Sequence, residues 1–357
     1  MKSKAQKVKL ADVARAANVS VATVSRFVTG RAPVTAEVRE RVLKAAIRVG
    51  FDLERGRKSR IIAFLLSNRG MLLPFHSAVL MGAEAYCAEH DYGLLFLPFQ
   101  YSTSVPTGVL SLPEILDRKR VVSGVIAAGT NSQQLLDLLS KRGIPWVALG
   151  NNIVGEETDR KNSTVNFDDV GGAYEITQYL QSLGHREIAF VGNLSLPWYA
   201  RRFQGYERAM KEAGLRSLAS ELNTREGEEM GFLATKLLLQ QHPSLTAVFA
   251  GDDGAARGTY RAARDRGLDI PVDLSVVGFN DTYASGLHPP LTSVHVFTDE
   301  VGKQLAELLL SRIARPDLPG KTVTLPTQIV RRESSGFVGT MNRHSNLKSE
   351  LPPVRGS

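Results

Sequence analysis

The run Ser20-Val21-Ala22-Thr23-Val24-Ser25-Arg26 sets a helix cap beside an exposed polar and cationic row. The Ser20 hydroxyl can accept from backbone N–H groups two or three residues on, so a helix is predicted to open there. Within it Val24, Phe27 and Val28 fall at helical spacing and can pack inward, which turns Val21, Ala22, Ser25 and Arg26 outward. Side chains at the exposed N-terminal end of such a helix are placed to meet base edges in a DNA major groove. The flanking residues supply the elements needed to hold that helix. Leu10, Val13, Ala14 and Ala17 make an apolar face one helix earlier, and Asn18-Val19-Ser20 interrupts it. Thr35 caps a third segment whose Val38, Val42, Ala45, Ala46 and Val49 repeat at helical intervals up to Gly50, a C-terminal stop. Three short helices around one small core, the second presented outward, read as a helix-turn-helix.

Charge is distributed to match. Residues 1–60 hold 15 Lys or Arg against 5 Asp or Glu, whereas the whole chain of 357 residues nets only +8, so the remainder is slightly acidic. A cationic module on a near-neutral body suits the phosphate backbone, where affinity comes largely from counterion release. Arg31, between the second and third helices, and Arg55, Arg57, Lys58 and Arg60 around Gly56 are the expected phosphate contacts.

No catalytic pattern competes with this reading. The chain lacks a phosphate-binding Gly-rich loop ending in Lys-Ser/Thr, a His-Glu-x-x-His helix, a Gly-x-Ser-x-Gly elbow and paired cysteines, and its seven His show no metal spacing. Asp252-Asp253 could mimic a metal pair, but two adjacent acids at a strand end more simply give one ligand contact and one helix cap. The expectation is a protein that is not an enzyme and has no cofactor. Cys87 has no internal partner, no apolar run approaches the ~18 residues of a membrane span, and MKSKAQKVK carries no apolar signal core, which points to the cytoplasm.

From Ile61 onward apolar strands alternate with amphipathic helices, the pattern of parallel α/β sheets. Strands are predicted at 61–66, 93–99, 122–129 and 144–150, with helices at 78–90 and 133–142 among them. A second unit carries helices at 172–183, 203–213, 231–240 and 255–266 and strands at 186–192, 245–251 and 274–280. A long helix at 299–313 and a strand at 322–325 follow. The fold class is therefore a small all-α helix-turn-helix DNA-binding domain followed by an α/β core of two doubly wound parallel-sheet subdomains, with a cleft between them.

At its head the chain resembles the LacI/GalR family of bacterial repressors, through Leu10-x-Asp12-Val13-Ala14-x-x-Ala17-x-Val19-Ser20-x-x-Thr23-Val24-Ser25-Arg26, Val34-Thr35, Arg39-x-x-Val42 and Gly50-Phe51. Further landmarks run through the core: Pro74-Phe75-His76, Leu183-Gly184-His185-Arg186, Arg202-x-x-Gly205-Tyr206, Val276-Val277-Gly278-Phe279-Asn280-Asp281 and Pro289-Pro290-Leu291-Thr292. The resemblance implies a periplasmic-binding-protein-like core, and it gives Val21, Ala22 and Arg26 base-reading positions with Ser20, Thr23 and Ser25 near phosphates. Arg26 is the strongest of these, because an Arg fork can pair with guanine O6 and N7. Two departures stand out. Lys9 replaces the family's usual capping Thr, and residues 52–60 lack the hinge helix whose Leu wedges into the minor groove, leaving a short cationic tether.

The domain reading that follows is 1–51 for the DNA-binding domain, 52–60 for a short basic hinge, 61–340 for the core and 341–357 for a disordered tail. Within the core, about 61–163 and 292–325 form the N-subdomain and about 164–291 and 326–340 the C-subdomain. Ligands of such folds sit at the carboxyl ends of strands. Arg202 matches the family's effector-gripping Arg, with Arg201 the alternative inward residue. Asp252 and Asn280 match a polar pair with amide and acid exchanged. Phe75 and Trp198 could stack on a sugar or base face or lie in the core, His76 joins them, and Asp168 lies near the pocket edge. The Gly-His-Arg run at His185 reads as structural. The expected partners are a double-stranded DNA operator, a sugar-like or alternatively purine effector, and a second copy of the chain in a homodimer. An alternative, raised by the short hinge, is a cytoplasmic ligand-binding module with weak or nonspecific DNA binding.

Overall fold

The computed structural model describes residues 8–29, 33–51, 59–69, 73–102, 110–117, 121–155, 162–220 and 226–338. Arg31, Arg55, Arg57 and Lys58, the hinge segment 52–58 and the tail 341–357 lie outside them. The chain divides into two compact units, residues 1–60 with 118–123, and residues 61–117 with 124–357.

The first unit is the three-helix head: α1 (Leu10–Ala17), α2 (Val21–Thr29) and α3 (Ala36–Val49). Val13, Ala14, Ala17, Val24, Val28, Val42, Ala45 and Ala46 form its core, and the other residues the periodicity turns inward, Leu10, Phe27, Val38 and Val49, are half-buried against it. Asn18 turns the chain between α1 and α2 at φ 52, a left-handed conformation that Asn tolerates. Arg41 of α3 donates to the carbonyls of Ala17 and Asn18, and Arg48 to that of Ala16. These two cations therefore cap the end of α1. Lys9 offers no side-chain cap, but Asp12 accepts from the Lys9 N–H at 2.9 Å, so the reciprocal half of the cap survives the substitution.

The second unit opens with β1 (Ile61–Ser67), α4 (Pro74–Glu89), β2 (Gly93–Phe99), α5 (Glu114–Asp117), β3 (Gly124–Ala127), β4 (Asn131–Ser132), α6 (Gln133–Lys141), β5 (Trp146–Leu149), β6 (Ile153–Val154) and β7 (Ser163–Phe167). It continues with α7 (Asp169–Ser182), β8 (Ile188–Val191), α8 (Pro197–Glu212), β9 (Leu218–Ala219), α9 (Glu228–Gln241), β10 (Ala247–Ala250), α10 (Asp253–Asp265), β11 (Ser275–Asn280) and β12 (Thr292–Val296). It closes with α11 (Thr298–Ala314), β13 (Thr322–Leu325) and β14 (Thr327–Val330). One six-stranded sheet runs β13-β7-β5-β3-β1-β2, all parallel. The other runs β14-β12-β11-β10-β8-β9, parallel except where β14 meets β12. The central strands are buried along their length because helices cover both faces, which is why they read as unbroken apolar runs.

The lobe boundaries differ from the expected ones. β7 belongs wholly to the first sheet and β12 to the second. A division at 163/164 therefore cuts β7, and a return at 292 comes a strand early. The chain crosses after Phe167, returns after Val296 and crosses again between Leu325 and Thr327. Both strands are rich in Ser and Thr whose buried hydroxyls bond within the core: Ser163 accepts from Lys321 N–H, Thr292 bonds the Arg332 carbonyl and Ser293 donates to Asp253. That polar content hides the apolar signature of a buried strand.

In the first lobe α4 and α11 touch backbone to backbone. A Cβ on Gly82 would lie 2.1 Å from the Asp299 carbonyl oxygen, and one on Gly302 2.1 Å from that of Val79, so each position requires glycine. Among the described residues no helix is long and apolar enough to cross a membrane.

Candidate functional site

In the head, Ser20 caps α2 by accepting from the Thr23 N–H at 3.0 Å, and the two hydroxyls lie 2.8 Å apart. Val24 and Val28 are buried, whereas Val21, Ala22 and Arg26 are exposed and Ser25 is half-buried. Val21 is 49 % exposed and stands on the predicted reading row.

In the core, two helices open on the same motif. Leu73-Pro74-Phe75-His76 starts α4 and Leu196-Pro197-Trp198-Tyr199 starts α8, each with Pro in the first turn where its missing N–H costs nothing. The helices thus begin earlier than periodicity predicts, and Phe75 and Trp198 face one cleft from opposite lobes. That cleft holds a cavity of about 130 Å³ open to solvent at its mouth. Phe75, His76, Trp198, Arg202, Asp252 and Asn280 all line it.

Arg202 is the best-anchored group there. It is 2 % exposed; Nε donates to Asp169 Oδ1 at 2.8 Å, Nη1 to the Gly251 carbonyl at 2.6 Å and Nη2 to Asn280 Oδ1 at 3.0 Å. Its plane lies 3.9 Å above the centroid of Phe279. Arg201 also turns inward, donating to Asp169 Oδ2 at 3.0 Å and to the Asn151 carbonyl. Asn151 completes the cluster through Nδ2 to Asp169 at 2.8 Å. Asp169 is thus a buried carboxylate shared by two arginines.

Asp168 is the correction among the expected cleft residues. Its exposed carboxylate accepts from the Gly171 N–H at 2.7 Å and caps α7, outside the cleft lining. Of two consecutive acids at the helix start, the cap position points outward and the next residue inward, so Asp169 takes the buried role.

Asp252 caps α10 through the Ala255 N–H at 2.7 Å and accepts from the Tyr199 hydroxyl at 2.6 Å. Asp253 is buried, and accepts from Ser293 Oγ at 2.8 Å and from the Thr282 N–H at 2.7 Å. Burial pushes its carboxyl up to about 7 against the pull of those donors. Asn280 sits at φ 94, a strained conformation for a residue other than glycine, held by the bond from Arg202. His76 is buried with Nε2 3.3 Å from Asn152 Nδ2; burial and then the charge of Arg69 drive it down to about 3, so the ring is neutral. Phe75 packs edge-on to His76 and tilted against Phe167. Trp198 does not present a bare face, because the Arg69 guanidinium lies 3.9 Å from its ring centroid.

Sequence reasoning missed Arg69, Asp169 and Glu226, and it named Asp253 only as one of two adjacent acids sharing a ligand contact and a helix cap. Arg69 carried a usable signal, since it stands just past the carboxyl end of β1. His185, read as structural, bonds Thr246 and the Gly336 carbonyl through its two ring nitrogens. Cys87 is buried in the core, which pushes its thiol up to about 11. No group of His, Cys, Asp and Glu among the described residues is arranged to hold a metal ion.

Comparison with known proteins adds a family context. The family model described as bacterial regulatory proteins, lacI family, matches residues 9–52, and that of the periplasmic binding protein-like domain matches residues 177–335. The chain is 31% identical to Catabolite control protein A of Priestia megaterium over 91% of its own length and 98% of that protein's. It is 30% identical to the Ribose operon repressor of Haemophilus influenzae, over 90% and 97% of the two chains. Among solved structures, a transcriptional regulator CelR-cellobiose complex superimposes with a TM-score of 0.68 at 28% identity, covering 92% of this chain and 100% of that one.

Proposed function

The chain belongs to the LacI family of bacterial regulatory proteins, and we infer that it is a transcriptional repressor whose hold on a DNA operator is set by a small molecule taken into the core cleft. The observation that carries this reading is α2: its cap and apolar face are fixed within the head while Val21, Ala22 and Arg26 are left at the surface. Arg26 supplies hydrogen bonds to a guanine and the two small apolar residues supply contacts such as a thymine methyl. One such helix spans too few base pairs for genomic selectivity, so the chain acts as a homodimer on a two-fold site.

The effector is a saccharide or sugar derivative. Cellobiose occupies the CelR structure, and the cleft here combines aromatic walls with Asp252, Asp253 and Asn280, groups suited to hydroxyls. It acts by binding two arrangements of the core unequally, so that its binding and that of DNA are reciprocally linked. The chain works in the cytoplasm, without catalysis.

Selection from randomised duplexes with the full-length protein tests the reading. A pseudo-palindromic consensus is expected, together with a thermal shift from one or more of a panel of sugars, sugar derivatives and nucleobases. Retention of all duplexes alike would instead leave a ligand-binding module with nonspecific DNA affinity.

A further inference from the structure

Arg69 leaves the carboxyl end of β1 and is buried in the cleft, with its side chain 7% exposed. Nε donates to Thr130 Oγ1 at 3.0 Å within its own lobe. Nη1 reaches across to Glu226 Oε1, and the guanidinium covers the Trp198 ring, both in the other lobe. Burial holds this guanidinium down at about 10, with neighbouring Arg202 working in the same direction against Tyr199 and Asp252. A cation so desolvated calls for an anion close by.

The two cleft arginines differ in how that need is met. Arg202 is closed off by Asp169, Gly251 and Asn280, all fixed parts of the fold. Arg69 is met by Glu226, which is 27% exposed and stands at the cleft rim next to Gly227 at φ 96, ahead of α9. A rim carboxylate on one edge of a buried guanidinium occupies the position that a ligand carboxylate or phosphate would take, and an Arg fork is shaped to receive either.

We propose that the effector carries an anionic group, a carboxylate or a phosphate, which docks on Arg69 in place of Glu226. This rests on the reading of the cleft as the effector site and narrows its ligand to a polyhydroxy acid or a phosphorylated sugar. Asp252 and Asn280, which also line the cleft, offer acceptors to the hydroxyls of the ligand's body. The Trp198 face beneath Arg69 is taken by the guanidinium, which leaves Phe75, Phe167 and Tyr283 as the aromatic walls for the sugar body.

The test uses the full chain with inorganic phosphate and acetate as probes, read by tryptophan emission. Glu226→Gln removes the built-in counter-ion and is expected to bind one of the two probes at least about tenfold more tightly than wild type. Whether phosphate or acetate gains identifies the group. Adding Arg69→Met should abolish the gain, while Arg69→Lys, which keeps the charge, should retain most of it. No gain for either probe, or a gain that survives Arg69→Met, overturns the proposal. Should Glu226→Gln melt far below wild type, wild type, Arg69→Lys and Arg69→Met are compared for hexose 6-phosphate and hexuronate against the neutral hexose. Loss confined to the charged ligands and to Met is expected, and equal binding by all three proteins overturns the proposal. Operator retention judges the effector reading separately. If anions bind through Arg69 but no ligand alters retention, that reading fails and the anion site stands; the reverse outcome leaves a neutral effector.

Discussion

Arg202→Ala should destabilise the core by about 3 to 5 kcal/mol, as breaking a buried ion pair does when one partner is removed. The geometry fixes where in that range it falls. Asp169, buried, keeps the donors of Arg201 and Asn151, which limits the loss at the carboxylate. The Gly251 carbonyl is left without the Arg202 donor, at about 1 to 3 kcal/mol for a buried acceptor, and the half-buried Asn280 Oδ1 loses its bond at a smaller cost. The face of Phe279 loses its cation besides. These terms share one side chain and do not add, so the middle of the range is expected. The chain has two tryptophans, Trp146 and Trp198, both buried in the core, so emission during urea unfolding follows the core alone. The midpoint should fall by about 1 M or more, given a slope of a few kcal/mol per molar for a unit of this size. Arg202→Lys should recover only part of the loss, since one ammonium cannot serve three acceptors in a plane. A midpoint equal to wild type would mean that this network holds nothing together and that Arg202 serves the ligand only.

His76 and Asp253 should give stability opposite dependences on pH. Asp253, raised to about 7, contributes stability that is full below pH 4 and lost as pH rises through 7; His76, lowered to about 3, contributes stability that is full above pH 6.5 and lost as pH falls toward 3. Urea midpoints between pH 4.5 and 7.5 should therefore rise on acidification in His76→Gln and fall in Asp253→Asn, and parallel profiles would contradict both assignments. Arg26→Ala should cost about 1 to 3 kcal/mol at one base pair of each half-site, measured by competition with single-base variants of the selected duplex. Uniform weakening on all sequences would give Arg26 to phosphate instead. Thr35→Ala removes the cap on the Val38 N–H and should destabilise the head by about 1 kcal/mol in thermal melts of the head's far-ultraviolet signal.

The head was legible almost residue by residue because its signals are local: cap, apolar period and a glycine stop lie within one helix of each other. The central strands were legible for the same reason, since burial on both faces writes an uninterrupted apolar run. What stayed hidden depends on register or on distance. Pro74 and Pro197 were passed over as helix starts, although a first-turn proline fits, and this shortened α4 and α8. A shift of one residue at the start of α7 exchanged Asp168 for Asp169. β7 and β12 escaped because buried hydroxyls with tertiary partners look like solvent-facing ones in a sequence. Arg69 and Glu226 meet across 157 positions, and nothing local at either announces the other.

If one chain reads DNA with α2 and its core cleft governs how tightly it does so, DNA affinity must respond to what the cleft holds. The most direct measurement is the affinity of the full-length protein for its selected duplex and for bulk competitor, each with and without the cleft ligand. A strong preference for the selected duplex is expected, with a change of about 5- to 150-fold in that affinity when ligand is added and bulk binding nearly unmoved. Equal affinity for both DNAs, whether or not ligand is present, would contradict it.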